Sequence, residues 1–167
     1  MHMPGKRMQD LFAAHGTDFA KIRQSAADAR DLIETISLDI ERYTATVCRD
    51  CSSVCCSHRH SRYDRSDSIF LAALGLDVPE YDSNIGETAP CRFLGTKGCV
   101  LQRSLRPYRC TWFFCTPLLD HIIKTSDPLA YRRFIRTLRA ITEKRTRMLD
   151  DFEKKQRESP GINFTNI

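Results

Sequence analysis

Four cysteines fall within nine positions of this chain, as Cys48, Cys51, Cys55 and Cys56 in the run CRDCSSVCC, and four more follow at Cys91, Cys99, Cys110 and Cys115. A free cysteine is often a small buried hydrophobe, which explains one or two of them. It does not explain a run interleaved with Arg49, Asp50, Ser52 and Ser53 and followed by Ser57, His58 and Arg59. Disulfides are the other ordinary use. The opening residues MHMPGKRMQD carry charge and no apolar signal segment, so a cytoplasmic location is expected, where thiols stay reduced. At 167 residues the chain is also far longer than a disulfide mini-scaffold. Metal ligation is the remaining use, and it is the expectation here.

A thiolate is a soft, charged ligand that suits zinc or the iron of an iron–sulfur cluster. Two residues between Cys48 and Cys51 let one turn aim both sulfurs at one centre. If the preceding helix continued, Cys48, Cys51 and Cys55 would share one face. Cys56 follows Cys55 directly, and adjacent side chains diverge by about 100° on a helix and to opposite faces on a strand. The two are therefore expected to serve different metal atoms, either in two sites or on two irons of one cluster. Cys91 and Cys99 stand at the ends of CRFLGTKGC, within a β-hairpin predicted over 91–102 around a Gly95-Thr96-Lys97-Gly98 turn. Trp112, Phe113 and Phe114 lie between Cys110 and Cys115, as a water-excluding cover for the sulfurs or as a hydrophobic plug of the domain. His58 and His60 are spare imidazoles, read as solvated loop residues rather than ligands.

Long helices are predicted on both sides. Phe19, Ile22, Ala26, Ala29, Ile33, Ile36, Ile40, Tyr43 and Val47 step alternately by three and four, an apolar seam over 18–47. Gly16 and Thr17 break and cap its start. A shorter amphipathic piece with Met8, Leu11 and Phe12 precedes it. Over 128–157, Phe134, Leu138, Ile141, Arg145, Met148 and Phe152 form a second seam with Arg145 as its one polar break, after a Ser126-Asp127-Pro128 start. The fold class expected is thus mainly α. It is a single domain over 1–167, with the two long helices packed antiparallel and carrying a small irregular cysteine-rich metal-binding subdomain over 48–115. Short helices are expected over 68–74, stopped by Gly75, and over 116–123, with a loop over 76–89. A monomer is preferred over a coiled-coil dimer, because stripes at this spacing usually face an internal core.

Charge is uneven. Residues 1–90 hold 10 Lys and Arg against 14 Asp and Glu, while residues 91–167 hold 16 against 7. Arg132, Arg133, Arg136, Arg139, Lys144, Arg145, Arg147, Lys154, Lys155 and Arg157 supply most of the excess. A solvated helix face is the plain reading, and an anionic partner, nucleic acid or an acidic protein, is the functional one. Eight thiolates and two divalent ions would bring the formal +5 close to neutral, so net basicity argues weakly for nucleic acid. No stretch approaches the roughly 18 to 20 apolar residues of a membrane span. No Gly-rich loop follows a strand, and no order of Ser, His, Asp or Cys suggests hydrolase chemistry.

The order of elements resembles the cysteine-cluster family described as zinc- or iron-chelating proteins and named for a CxxCxxCC motif. The matching elements are CRDCSSVCC, Pro90-Cys91 before Phe93-Leu94, Gly98-Cys99, and Arg106-Pro107-Tyr108-Arg109-Cys110, with Cys115 closing the set. The likeness covers about Cys48 to Cys115. Three residues rather than two separate Cys51 from Cys55, and Thr111 stands where the family often has arginine. The resemblance implies metal binding more firmly than any reaction. Some of its members are described as iron–sulfur proteins, and flagellin lysine methylases carry a similar cysteine domain. The function expected is metal binding by Cys48, Cys51, Cys55, Cys56, Cys91, Cys99, Cys110 and Cys115, through an iron–sulfur cluster with a redox or electron-transfer role or through zinc. The alternative is a structural zinc module acting as an adaptor for nucleic acid or an acidic protein through the basic C-terminal helix.

Overall fold

A computed structural model describes residues 4–49, 51, 55–96 and 98–158. Its frame is two helices, α2 (Ala20–Val47) and α6 (Pro128–Glu158), of 28 and 31 residues. They run antiparallel: Lys21 pairs with Asp151, Asp28 with Lys144, and Asp18, just before α2, with Lys155, so rising numbers on one side meet falling numbers on the other. The predicted seams are what they bury. Ile22, Ala26, Ala29, Ile33, Ile36, Ile40 and Tyr43 of α2 meet Phe134, Ile141, Met148 and Phe152 of α6 in one core, with Leu138 and Val47 at its margin. Both seams are consumed inside the chain.

Local chemistry sets the helix ends. Asp127 caps α6, its carboxylate accepting from the Leu129 and Ala130 amides at 2.8 and 3.1 Å, and Pro128 opens the first turn. The α2 start differs slightly from expectation. Thr17 does not cap it; the chain turns through residues 15–19, and Phe19 stands at the cap position without a side-chain cap bond. Apolar packing replaces the cap. Phe19 is wholly buried against Phe12 of α1 (Pro4–Ala14) and Phe152 of α6, with ring centroids 4.8 and 6.0 Å away.

The middle block is irregular. A 3-10 turn at His58–Ser61 precedes α3 (Arg65–Ala73), which starts three residues earlier than predicted because Asp64 and Asp67 form a reciprocal capping box. Gly75, at φ 71°, ends that segment in the left-handed region. A loop over 76–89 leads to the hairpin, which is shorter than predicted: β1 (Leu94–Gly95) pairs antiparallel with β2 (Gly98–Cys99). Gly98 takes φ 111° at the turn exit, which only glycine adopts without strain. A 3-10 turn at Arg103–Leu105, the four-residue α4 (Arg109–Trp112) and α5 (Thr116–Thr125) complete the return to α6. Among the described residues no helix is long and apolar enough to cross a membrane.

Candidate metal centre

None of the eight cysteines is in a disulfide, and six are half-buried while Cys55 and Cys56 are exposed. α2 stops at Val47, so Cys48 caps the helix instead of extending it. The single helical face for Cys48, Cys51 and Cys55 does not form. The backbone turns, with the Cys51 amide donating to the Cys48 carbonyl at 3.4 Å. Residues 52–54 lie outside the described residues. Through Cys56 and Ser57, before the 3-10 turn at His58, the chain is extended and runs beside the segment before the hairpin. The Cys91 amide donates to the Cys56 carbonyl at 2.8 Å, Ser57 bridges Pro90, and the His58 and Arg59 amides donate to Ala89 and Glu87. That pairing carries Cys56 to Cys91, 35 positions along the chain.

Electrostatics show which sulfurs keep company. Burial pushes the Cys48 thiol up, and repulsion from Cys55, Cys115 and Cys51 adds to it. The Cys55 thiol is pushed up by burial and then by Cys115, with which it shares a side-chain hydrogen bond, and by Cys51. Cys48, Cys51, Cys55 and Cys115 thus form one neighbourhood. Burial drives Cys56 up to about 12, with Cys55, Cys110, Cys48 and Cys91 as further causes. Cys110 rises to about 11 through burial first and then Cys99 and Cys91, against the pull of Arg106 and Arg103. Cys91 rises through burial, with Cys99 adding to it. Cys56, Cys91, Cys99 and Cys110 form the second neighbourhood, and the adjacent pair Cys55-Cys56 is the seam between the two. Exposed by area, Cys55 and Cys56 still have protein crowding one side, which is why burial leads among their causes.

Each neighbourhood draws on distant chain. Cys115 caps α5, its carbonyl accepting from the Leu119 amide at 2.9 Å. α5 lies against the end of α2, where Tyr43 meets His121 edge-on at 6.3 Å and the Tyr43 hydroxyl lies 2.7 Å from Ser126 Oγ. Cys110 sits in α4, whose position is set by α2. Arg103 is only 3% exposed; it donates to the Cys110 carbonyl at 3.0 Å and to Ser37 Oγ at 3.3 Å, and lies 3.7 Å from Glu41. Arg106 donates to the carbonyls of Leu101 and Cys99 and pairs with the same Glu41 at 3.2 Å. Glu34 accepts from the Ser104 amide and from Gln102. Glu34, Ser37 and Glu41 therefore form a polar stripe on α2 that holds the Cys99–Cys110 segment. Burial pulls the Arg103 guanidinium down to about 10, with Arg106 helping and Glu41, Cys110 and Cys99 resisting.

Sequence reasoning missed that these two arginines position the backbone at Cys99 and Cys110. In the sequence Arg106 stands only as part of a motif, and nothing marks out Arg103. Nothing in composition separates an arginine buried under a loop from a solvated one. Tyr63 was missed as well: its hydroxyl donates to the Leu105 carbonyl at 2.6 Å, and burial followed by Cys110, Asp67, Cys99 and Cys91 holds it well above the usual phenol range.

Two readings of side chains are corrected. His58 is wholly buried, stacked on Tyr81 at 4.5 Å, with Nε2 at 2.7 Å from the Asp82 carbonyl and Nδ1 at 3.4 Å from Ser61 Oγ. It is a loop-locking residue rather than a solvated one, because the 76–89 loop folds over it. His60 turns Nδ1 to the Cys55 carbonyl at 2.9 Å. The Trp112-Phe113-Phe114 run also divides. Phe114 packs on Phe134 at 5.8 Å and belongs to the core margin, whereas Trp112 and Phe113 are 50% and 42% exposed.

Among the described residues no three His, Cys, Asp or Glu side chains are closed to the geometry of a metal site. The donors themselves are of the soft kind, two neighbourhoods of four thiols each. Cys48, Cys55, Cys56, Cys91 and Cys110 are pushed up first by burial, a shift that a bound cation would oppose. No family model, curated protein or solved structure matches this chain.

Proposed function

We propose that this chain is a metal-binding cysteine-cluster protein that holds metal in two four-cysteine groups, one of Cys48, Cys51, Cys55 and Cys115 and one of Cys56, Cys91, Cys99 and Cys110. The observation that carries the reading is the parting of the adjacent pair. Cys55 shares a side-chain hydrogen bond with Cys115, while the Cys56 carbonyl takes the Cys91 amide at 2.8 Å, with Cys55 and Cys48 still near enough to act on the Cys56 thiol. Four thiolates are the usual complement of a structural zinc and of an iron–sulfur cluster. The resemblance to the zinc- and iron-chelating family points the same way. With iron the role is redox or electron transfer; with zinc the metal knits a loop-rich segment together.

A metal also answers the protonation problem. Thiols pushed above their ordinary range stay neutral in the metal-free chain near pH 7, and a cation drives them to thiolates by supplying the opposite charge. Binding should therefore release protons and weaken in acid.

Elemental analysis of protein purified without oxygen tests the proposal. Iron with acid-labile sulfide and a brown colour selects the cluster; a colourless protein with stoichiometric zinc selects the ion. Protein that takes up neither, under reducing conditions with either metal supplied, overturns metal binding altogether. Cys115→Ser and Cys110→Ser test the grouping, since each should remove about half of the metal and leave the other group filled. Loss of all metal in both variants would merge the two groups into one centre.

A further inference from the structure

Seven large hydrophobic side chains are exposed among the described residues, and five of them (Trp112, Phe113, Leu119, Ile123 and Leu129) fall within 18 positions of α4, α5 and the start of α6. α5 buries Leu118 and Ile122 and so turns Leu119 and Ile123, one turn apart, to the outside. Leu129 is 72% exposed and lines an open groove of about 600 Å³ together with Ala130, Arg132, Arg133, Arg136 and Asp127, whose carboxylate is engaged in capping α6. A lone exposed leucine is ordinary, but a concentration of this kind marks an interaction surface.

The charges of the same region are unspent. Along the second half of α6 four of the six cations are paired: Lys144 with Asp28, Arg145 with Asp67, Lys154 with Glu158 and Lys155 with Asp18. Arg109, Lys124, Arg132, Arg133, Arg136 and Arg139 make no ion pair among the described residues. No acidic residue occurs between Asp127 and Glu143. Arg132, Arg136 and Arg139 are spaced to lie on one helix face. Tyr108, just before α4, reaches Thr142 of α6 at 2.8 Å, and Phe114, just after it, stacks on Phe134, which lays the Trp112-Phe113 segment along this half of the helix.

We propose that this surface docks a protein whose contact face is acidic around an apolar centre. Apolar and aromatic anchors flanked by arginine make up the composition of protein interfaces. Three exposed aliphatic side chains, Leu119, Ile123 and Leu129, suit an apolar protein contact better than a phosphate backbone, whose usual contacts are Lys, Arg and polar groups. Net attraction to an acidic face follows from the unpaired arginines. Cys115 lies between the aromatic pair and α5, so the docked partner would cover the group of Cys48, Cys51, Cys55 and Cys115. The surface does not depend on metal being present in either group.

Trp112 is the only tryptophan of the chain, so its emission reports the surface directly. The probe is a synthetic helical peptide of about 18 residues with leucine on one face and glutamate elsewhere, titrated into the full chain as purified. Binding with a blue shift of Trp112 emission is expected, at least tenfold tighter than for the same peptide with serine for leucine or lysine for glutamate. Leu119→Ser/Ile123→Ser and Arg132→Glu/Arg136→Glu should each weaken it tenfold or more, with circular dichroism and metal content unchanged. The arginine-reversed variant should instead bind the lysine peptide. An acidic peptide no tighter than its serine control overturns the proposal. So does an oligothymidylate of about 20 nucleotides that displaces the peptide and loses its binding in the arginine-reversed variant, since that assigns the surface to nucleic acid.

Discussion

The long-helix pair and the cysteine block are held together by different forces, although α2 belongs to both. Between α2 and α6 the contacts are apolar and periodic, with Ile36, Ile40, Ile141, Met148 and Phe152 at 2% exposure or less. Between α2 and the cysteine block they are polar and few: Glu34, Ser37 and Glu41 hold Arg103, Ser104 and Arg106, which hold the backbone of two cysteines. Burial of apolar area is non-directional and tolerant of small shifts. A carbonyl gripped by a buried guanidinium is directional. The helix pair therefore supplies a stiff wall, and the polar stripe on that wall sets where thiols stand.

The comparison breaks most sharply under chelation. Structural zinc contributes on the order of 10 to 16 kcal/mol in small finger peptides, so stripping metal should unfold the cysteine block and spare the helix pair. Far-ultraviolet circular dichroism should then fall only modestly while hydrogen exchange over 55–115 rises to that of open loop. Full loss of helicity on chelation would show that the helix pair cannot stand without the block.

The converse perturbation is Phe152→Ala. Phe152 stacks on Phe12 and Phe19 at 5.8 and 6.0 Å and is wholly buried. Truncation should cost about 3 to 5 kcal/mol in urea unfolding, with metal stoichiometry unchanged at neutral pH.

Asp67 and Arg145 join the two regions, and they explain the one polar break in the second seam. Arg145 lies 2.5 Å from Asp67 and stacks over Tyr108 at 4.5 Å, while Asp67 also accepts from the Tyr108 amide at 3.0 Å. Asp67→Ala strands a buried guanidinium and should cost about 3 to 5 kcal/mol. The pH dependence has an unusual sign. Burial raises the Asp67 carboxyl despite the pull of the Tyr108 amide and Arg145, so the native state binds its proton more readily than the unfolded chain. The group's contribution is then fully present below the unfolded value of about 4. It is lost as pH rises through the folded value. Wild type should gain stability relative to Asp67→Asn on acidification from pH 7 toward pH 4; parallel curves would refute this.

The smallest expected effect sharpens the comparison most. Arg103→Met leaves the Cys110 carbonyl and Ser37 without their buried donor, worth about 1 to 3 kcal/mol. Metal affinity of the Cys56, Cys91, Cys99 and Cys110 group should fall about 10- to 100-fold, as for other supporting residues of metal ligands. The Cys48, Cys51, Cys55 and Cys115 group should keep its affinity. Equal losses at both, read by competition with a chromophoric chelator, would remove Arg103's positioning role.

Periodicity, caps and composition determined by themselves the two long helices, the interruption at Arg145, the Asp127-Pro128 start, the loop over 76–89 and the presence of a hairpin ending at Cys99. Those features are local: a step of three and four, a capping carboxylate or a glycine states its own conformation. Tertiary structure alone decided that Cys115 joins Cys48, that Cys56 joins Cys91, that His58 is buried, and that Arg103 lies beneath the loop. Each of these depends on which distant segments meet, and a residue's type carries no record of its partner across 35 or 67 positions of chain. Burial even reverses the plain reading of an arginine or a histidine, because the protein around it, rather than its own polarity, sets whether water can reach it.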